Sequence, residues 1–174
     1  MVSAASRGWT QLTRRMARAT GFHPASALQT TPAFPWWEGL VILSRFPVLS
    51  RRRHVLNIHR RYLEADIEAP GGTVTVGSLH ISGWARPWKE REMAKVLGLV
   101  PDQRAVVAGD FNLRPHDPLM CRAFERLDWD YSRMATNSKA KIDYVLATRD
   151  MKLAGAKLLP KYCSDHHPVM VEVT

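Results

Sequence analysis

Apolar residues recur along this chain at two periods, and the switches between them mark out the elements. From Ser6 to Thr20 the positions Trp9, Leu12, Met16 and Ala19 step by three and four, with Arg14, Arg15 and Arg18 between them. That is the period of an amphipathic helix, and Gly21 follows it as a C-cap. The Pro- and Thr-containing stretch after it, through Pro35, reads as a loop. Gly39 to Ser44 is a short apolar run that predicts a buried strand, stopped by Pro47. Tyr62 to Ala69 alternates with period two, Gly71 and Gly72 break it, and Thr73 to His80 resumes, which predicts two antiparallel neighbours. Trp88, Met93, Val96, Leu97 and Val100 mark one face of a helix opened by Pro87 and closed before Pro101. Arg104 to Gly109 is again a strand, Leu119, Phe124 and Leu127 predict a short helix, and Lys141 to Ala147 and Pro168 to Val173 are the last strands.

Strands outnumber helices, and most segments between them are too short for repeated βαβ crossovers. The class is therefore mixed α/β (α+β) with substantial antiparallel sheet, two packed sheets with helices outside. With 174 residues and 45% hydrophobic content the chain can bury one core, so residues 1–174 read as a single domain. Lys and Arg number 25 against 16 Asp and Glu, a net +9. This favours an anionic partner (nucleic acid, a phosphorylated small molecule or an acidic lipid surface) but names no reaction. Cys121 and Cys163 lack CxxC spacing and are too few for a disulfide framework, so two buried free thiols in a reduced compartment are expected. No apolar run reaches the length of a membrane span, and the N-terminal stretch has no continuous apolar signal core. The chain reads as soluble and of bacterial cytoplasmic type, unless an upstream signal belongs to it.

Four stretches carry chemistry. Arg104 to Asn112 is a buried strand ending in an acid and an amide, Asp110 and Asn112, which an extended chain places on one face. A carboxylate oxygen beside a neutral donor on a rigid support suits a hard divalent cation or a phosphate. A turn acid followed by an Asx-type cap is the alternative. Asp165 and His166 stand side by side before the last strand. Their side chains diverge, so one can serve a metal and the other the attacking water or the phosphate, unless the pair is simply loop. Asp143 is a single acid within an apolar strand, where an unpaired carboxylate is costly. It needs a cation or a histidine: accepting the Nδ1 proton of His166 would fix that imidazole's tautomer, and a salt bridge with Lys141 is the other solution. His80 ends its strand either placed to donate a proton or as a structural histidine.

Taken in order, Ser-Leu-His80, a helix, Gly-Asp110-Phe-Asn112, Ile-Asp143-Tyr and Ser-Asp165-His166 resemble the motif series of the endonuclease/exonuclease/phosphatase (DNase I-like) superfamily. Gly39-Leu-Val-Ile-Leu-Ser-Arg-Phe-Pro47 is similar to that family's earlier strand, and the resemblance runs from about Glu38 to the C-terminus. It implies a four-layer α/β/β/α sandwich of two packed, mainly antiparallel sheets, Mg²⁺ or Mn²⁺ as cofactor, and phosphoester hydrolysis by in-line water attack. It further implies that Asp110 and Asn112 position water and phosphate and that Asp110 and Asp165 bind metal. His166 paired with Asp143 would contact the scissile phosphate or act as base, His80 would donate the proton, and Arg60 or Arg61 would face the phosphate. Family members begin with an Asn-bearing strand and a Gln-Glu segment whose glutamate is a metal ligand, and neither stands before Glu38. The first strand is thus expected to be missing, a sheet edge open to self-association, and Glu38 the substitute metal ligand.

The expected function is a metal-dependent phosphodiesterase, a nuclease on DNA or RNA, because the charge is basic and Trp36, Trp37, Trp84 and Trp88 lie in or near predicted loops where bases could stack. A phosphatase or phospholipase-type hydrolase of lipid or small-molecule phosphoesters would share the same residues. So would an inactive truncated fragment that at most binds phosphate ligands.

Overall fold

The strand predicted at Gly39 to Ser44 forms, but its partner comes from a stretch whose hydropathy reads as loop. The computed structural model describes residues 4–28, 38–129, 135–137 and 140–174, with side chains from residue 10 onward. Two compact units divide it, Met1–His80 and Ile81–Thr174.

In the first unit α1 (Ala4–Thr20) ends at Gly21, whose φ of 70° is the left-handed cap conformation that glycine adopts without strain. β1 (His23–Leu28) then pairs antiparallel with β2 (Gly39–Ser44), Ala25 opposite Ile42 and Ala27 opposite Leu40. The inward positions of β1 are alanines, too small and too few to register as an apolar run, and Pro24 is tolerated because it costs an edge strand little. β3 (Val48–Val55), also unpredicted, runs through three consecutive arginines and pairs with β4 (Arg61–Ala69), which pairs with β5 (Gly72–His80), all antiparallel. Ala25, Ala27, Leu40 and Ile42 pack on Leu63, Ala65 and Ile67, so the β1–β2 ribbon lies over the β3–β4–β5 sheet, with α1 against the ribbon. Contrary to the predicted apolar stripe, Leu12 and Met16 stay exposed while Thr13 is buried, since a two-stranded ribbon covers only part of a helix face.

Alternation explains how β3 tolerates its arginines. Arg52 faces Glu64 and grips Asp66 with two guanidinium nitrogens at 2.8 Å, and Ser50 and Thr75 also donate to Asp66. The hydrogen bond from Arg52 holds the Asp66 carboxyl well below the usual carboxylate range. On β4 the fully buried Tyr62 ring covers Gly77 of β5: a Cβ at Gly77 would meet the Tyr62 hydroxyl at 2.1 Å. Gly77→Ala is therefore expected to cost roughly 1–3 kcal/mol of stability by overpacking. Gly98→Ala, in a helix with nothing within 4 Å of the new methyl, should instead stabilise by about 0.5–1 kcal/mol; chemical denaturation of the two variants measures both.

In the second unit α2 (Arg86–Leu99) buries Glu92, Met93 and Val96, and leaves Trp88 partly exposed where the sequence placed it on the packed face. The buried Glu92 carboxylate accepts from Ser82 N at 2.8 Å and Ser82 Oγ at 2.6 Å, which ties the chain after Ile81 to the helix. β6 (Ala105–Asp110) is followed by α3 (Pro118–Arg126), capped by Asp117, whose side chain accepts from Leu119 N at 2.9 Å with Pro118 at the first turn. Leu127 leaves the helix to begin β7 (Leu127–Trp129), and β8 (Asp143–Thr148) lies between β7 and β6, antiparallel to both. β9 (Leu153–Leu158) and β10 (Val169–Val173) form a separate antiparallel pair. Phe111 meets Tyr144 edge-on at 5.5 Å, and the Tyr144 hydroxyl donates to Leu113 O at 2.9 Å, which anchors the chain just past β6. Both cysteines are exposed, against the expected burial: α3 packs through Leu119, Met120 and Ala123 and turns Cys121 outward, and Cys163 lies in the loop before β10. The mixed α/β class with mainly antiparallel sheets stands as expected.

Candidate functional site

β6 and β8 are joined in a register that sets Asp110 directly opposite Asp143. Like charges at such a cross-strand pair are destabilising unless a positive group stands beside them. His166 comes from the far end of the sequence to meet them: its Nδ1 lies 2.8 Å from Asp143 Oδ2, and one ligand atom each of Asp110, Asp143 and His166 fall within 4.8 Å of one another. Burial lowers the affinity of this imidazole for its proton. The hydrogen bond that His166 donates to Asp143 and the charges of Asp143, Asp110 and Asp165 outweigh it and hold the pKa above the ordinary histidine value.

Asn112 adopts φ 49°, a left-handed conformation that asparagine tolerates better than most residues. Its amide N–H donates to Asp110 Oδ1 at 2.7 Å, an Asx turn, and its side-chain amide donates to Ile81 O at 2.8 Å. Ile81 N in turn donates to Asp110 O at 2.8 Å, so two chain segments are locked together at the end of β6. Lys89 of α2 donates to Asn112 O at 2.8 Å. Asp165 stands apart: its side chain is 91% exposed and its Oδ2 lies 3.9 Å from His166 Nε2.

Thr136 escaped the sequence reading, and it holds the site together. It is fully buried, its hydroxyl accepts from Ile142 N and Asp143 N at 3.1 Å each, and its carbonyl accepts from His167 N at 2.7 Å. One residue thus fixes the entry to β8 and the loop carrying His166, and Asn137 beside it forms a bridge with His166 itself. The signal was faint: an Asx turn, in which Ala140 N donates to Asn137 Oδ1 at 2.8 Å, is all that marks the segment.

The remaining predicted residues lie in the first unit. Glu38 is ion-paired with the buried Arg60, and its Oε2 is 3.8 Å from His80 Nδ1. Arg61 turns back on the β3–β4 loop, donating to Asn57 O at 2.7 Å and Arg60 O at 2.9 Å; burial, then the charge of Arg53, lowers its pKa. Of the four tryptophans expected to stack on bases, Trp36 and Trp37 lie outside the described residues, whereas Trp84 is 74% exposed and Trp88 42%. Among the described residues no helix is long and apolar enough to cross a membrane.

A sequence profile described as the Endonuclease/Exonuclease/phosphatase family matches residues 4–166. No curated protein matches the chain by sequence. Among solved structures, the human nocturnin catalytic domain with bound sulfate is similar with a TM-score of 0.75 at 14% identity, over 92% of this chain and 74% of that one. A functionally unknown protein of Enterococcus faecalis V583 gives a TM-score of 0.75 at 16% identity, covering 94% and 81%. A mannosyl-6-phosphatase of Bacteroides thetaiotaomicron VPI-5482 gives 0.70 at 14%, covering 95% and 82%. At these identities the likeness is one of fold.

Proposed function

Because the chain belongs to the endonuclease/exonuclease/phosphatase family, we propose that it is a divalent-metal-dependent phosphoesterase, a phosphodiesterase acting on nucleic acid by in-line attack of water. The observation that carries this reading is the cross-strand pair Asp110 and Asp143 with His166 closing on it. Two facing carboxylates and an imidazole are a poor structural choice unless a cation is part of the design. The carboxylate oxygens fit Mg²⁺ or Mn²⁺ alike. Asp110 and Asp165 would hold the ion, which when bound supplies positive charge against the charge that develops on the phosphate.

The protein's own groups have these roles. Asp143 accepts the Nδ1 proton of His166 and so leaves the Nε2 lone pair free to take a proton from the attacking water. Asn112, locked to Ile81 and Asp110, orients the phosphate and the water. Of the two arginines that the resemblance points to for the phosphate, Arg61 is turned back on its own loop and Arg60 reaches the phosphate only by sharing its guanidinium with Glu38. His80 is the proton donor to the leaving oxygen. Glu38 is a supplementary carboxylate for the metal, and Glu38→Ala is expected to weaken metal-supported activity several-fold; full retention removes Glu38 from the ligand set.

The basic balance of +9 and the exposed Trp84 and Trp88 favour nucleic acid, whose backbone answers the charge and whose bases stack on indoles. The deciding assay incubates the protein with plasmid DNA and with a chromogenic phosphodiester, each with Mg²⁺, Mn²⁺ or EDTA. Cleavage in the metal lanes alone is expected; cleavage that survives EDTA rules out the metal reading.

A further inference from the structure

The alternation that gives Arg52 to Glu64 and Asp66 sends Arg51 and Arg53 to the other side of β3, where their register partners are the apolar Ala65 and Leu63. There they line a cavity of about 400 Å³ together with Arg14 of α1, and the hydroxyl-bearing Thr10, Thr13 and Ser26 complete most of its wall. Among the described residues no carboxylate lines it. Four other arginines are matched: Arg52 to Asp66, Arg60 to Glu38, Arg86 to Asp117 and Arg126 to Asp102. Arg14, Arg51 and Arg53 have no acidic partner among the described residues, although folding brings their like charges to one cavity. Such a cluster is self-repelling unless an anion joins it.

We propose that this cavity is a second anion site, held entirely within residues 1–80, for a group carrying several phosphate charges, either a free polyphosphate or the diester backbone of a nucleic acid. Guanidinium forks bind phosphate oxygens bidentately, and the hydroxyls add neutral donors. The volume lies in the range of ordinary ligand pockets. The charge is concentrated at one place and not spread thinly over the surface, which suits a compact multivalent anion. The site needs none of the groups assigned to hydrolysis, so it stands whether or not the catalytic reading does.

The test titrates inorganic tripolyphosphate and, separately, a labelled single-stranded oligonucleotide against the whole chain in EDTA, where metal-dependent cleavage is silent. Arg51→Gln combined with Arg53→Gln is expected to weaken binding by about tenfold or more, the scale of lost charge-assisted contacts, and to flatten its salt dependence. Arg14→Gln, on an exposed helix position, is the second variant and should weaken binding without touching the sheet. Unfolding midpoints near wild type show that each variant is folded. Asp110→Asn should bind as wild type does, and the arginine variants should keep their hydrolysis of a small chromogenic diester, so failure here and failure of the catalytic reading are separately visible. Binding of tripolyphosphate alone identifies free polyphosphate as the ligand, and binding of the oligonucleotide, displaced by tripolyphosphate, identifies the backbone. Equal binding by wild type and both arginine variants, or no binding of either probe, overturns the proposal.

Discussion

Asp110→Asn is expected to lower Mg²⁺-supported hydrolysis of a phosphodiester by roughly 10³-fold, since several kcal/mol of charge stabilisation depend on the metal that this carboxylate would hold. The substitution is narrow. Asparagine keeps an oxygen to accept from Asn112 N, so the turn after β6 persists, and the charge is removed together with the weaker 3.3 Å bond that Asp110 Oδ2 accepts from the Asn112 side chain. At alkaline pH, where His166 is neutral, the same change should leave the metal-free protein as stable as before or slightly more so, because a like-charge pair facing Asp143 costs up to about 1 kcal/mol. Thermal unfolding with and without Mg²⁺ completes the test: wild type should gain stability on adding metal, and the variant should gain little. A variant that hydrolyses at the wild-type rate, or unfolds well below wild type in EDTA, would show that Asp110 is a structural turn acid.

Asp143→Asn should cut activity by about 10²–10⁴-fold, the scale of general-base catalysis and of the orienting acid behind it. It carries a second signature in pH. In the metal-free protein Asp143 is the main group that raises His166's pKa against the opposing effect of burial. A group whose folded-state pKa is raised gives stability that is fully present below its unfolded value, near 6.5 for histidine, and is lost as pH rises through the folded value. The stability deficit of Asp143→Asn relative to wild type, measured in EDTA, is therefore expected to be larger at mildly acid pH than at alkaline pH. A deficit that does not vary with pH, alongside undiminished turnover, counts against the Asp143–His166 pair. On the proposed reading a protonated His166 answers the two carboxylates when no ion does, so metal binding there should release protons.

The elements legible in the sequence were those whose burial is written in large side chains. β2 and β4 announce themselves through Leu40, Ile42, Leu63 and Ile67, and β8 through Tyr144 and Leu146. β1 was missed because Ala25 and Ala27 bury only small side chains, and β3 because three arginines conceal a strand whose two faces are served differently. The apolar stripe of α1 was read correctly as an amphipathic helix, whereas the exposure of Leu12 and Met16 depends on the width of the ribbon beneath it, which is no property of the helix.

The candidate site divides in the same way. The residue types and their chain order, Asp110 and Asn112 at a strand end, Asp143 inside an apolar strand, His166 beside Asp165, are facts of the sequence, and with them come the family, the mixed α/β class and the kind of chemistry. Which of these residues meet is a matter of register and loop closure. The β6–β8 pairing sets Asp110 against Asp143, Thr136 draws in the loop that carries His166, and Asp165, adjacent to His166 in the chain, is left exposed. The same logic separates Arg60 from Arg61 and Arg52 from Arg51 and Arg53: neighbours in sequence, placed by alternation and loop geometry in different electrostatic surroundings. Local pattern determines what a residue can do, because propensity and periodicity are properties of short segments. Long-range pairing determines what it faces, and charge interactions depend on distance and burial that no short segment contains.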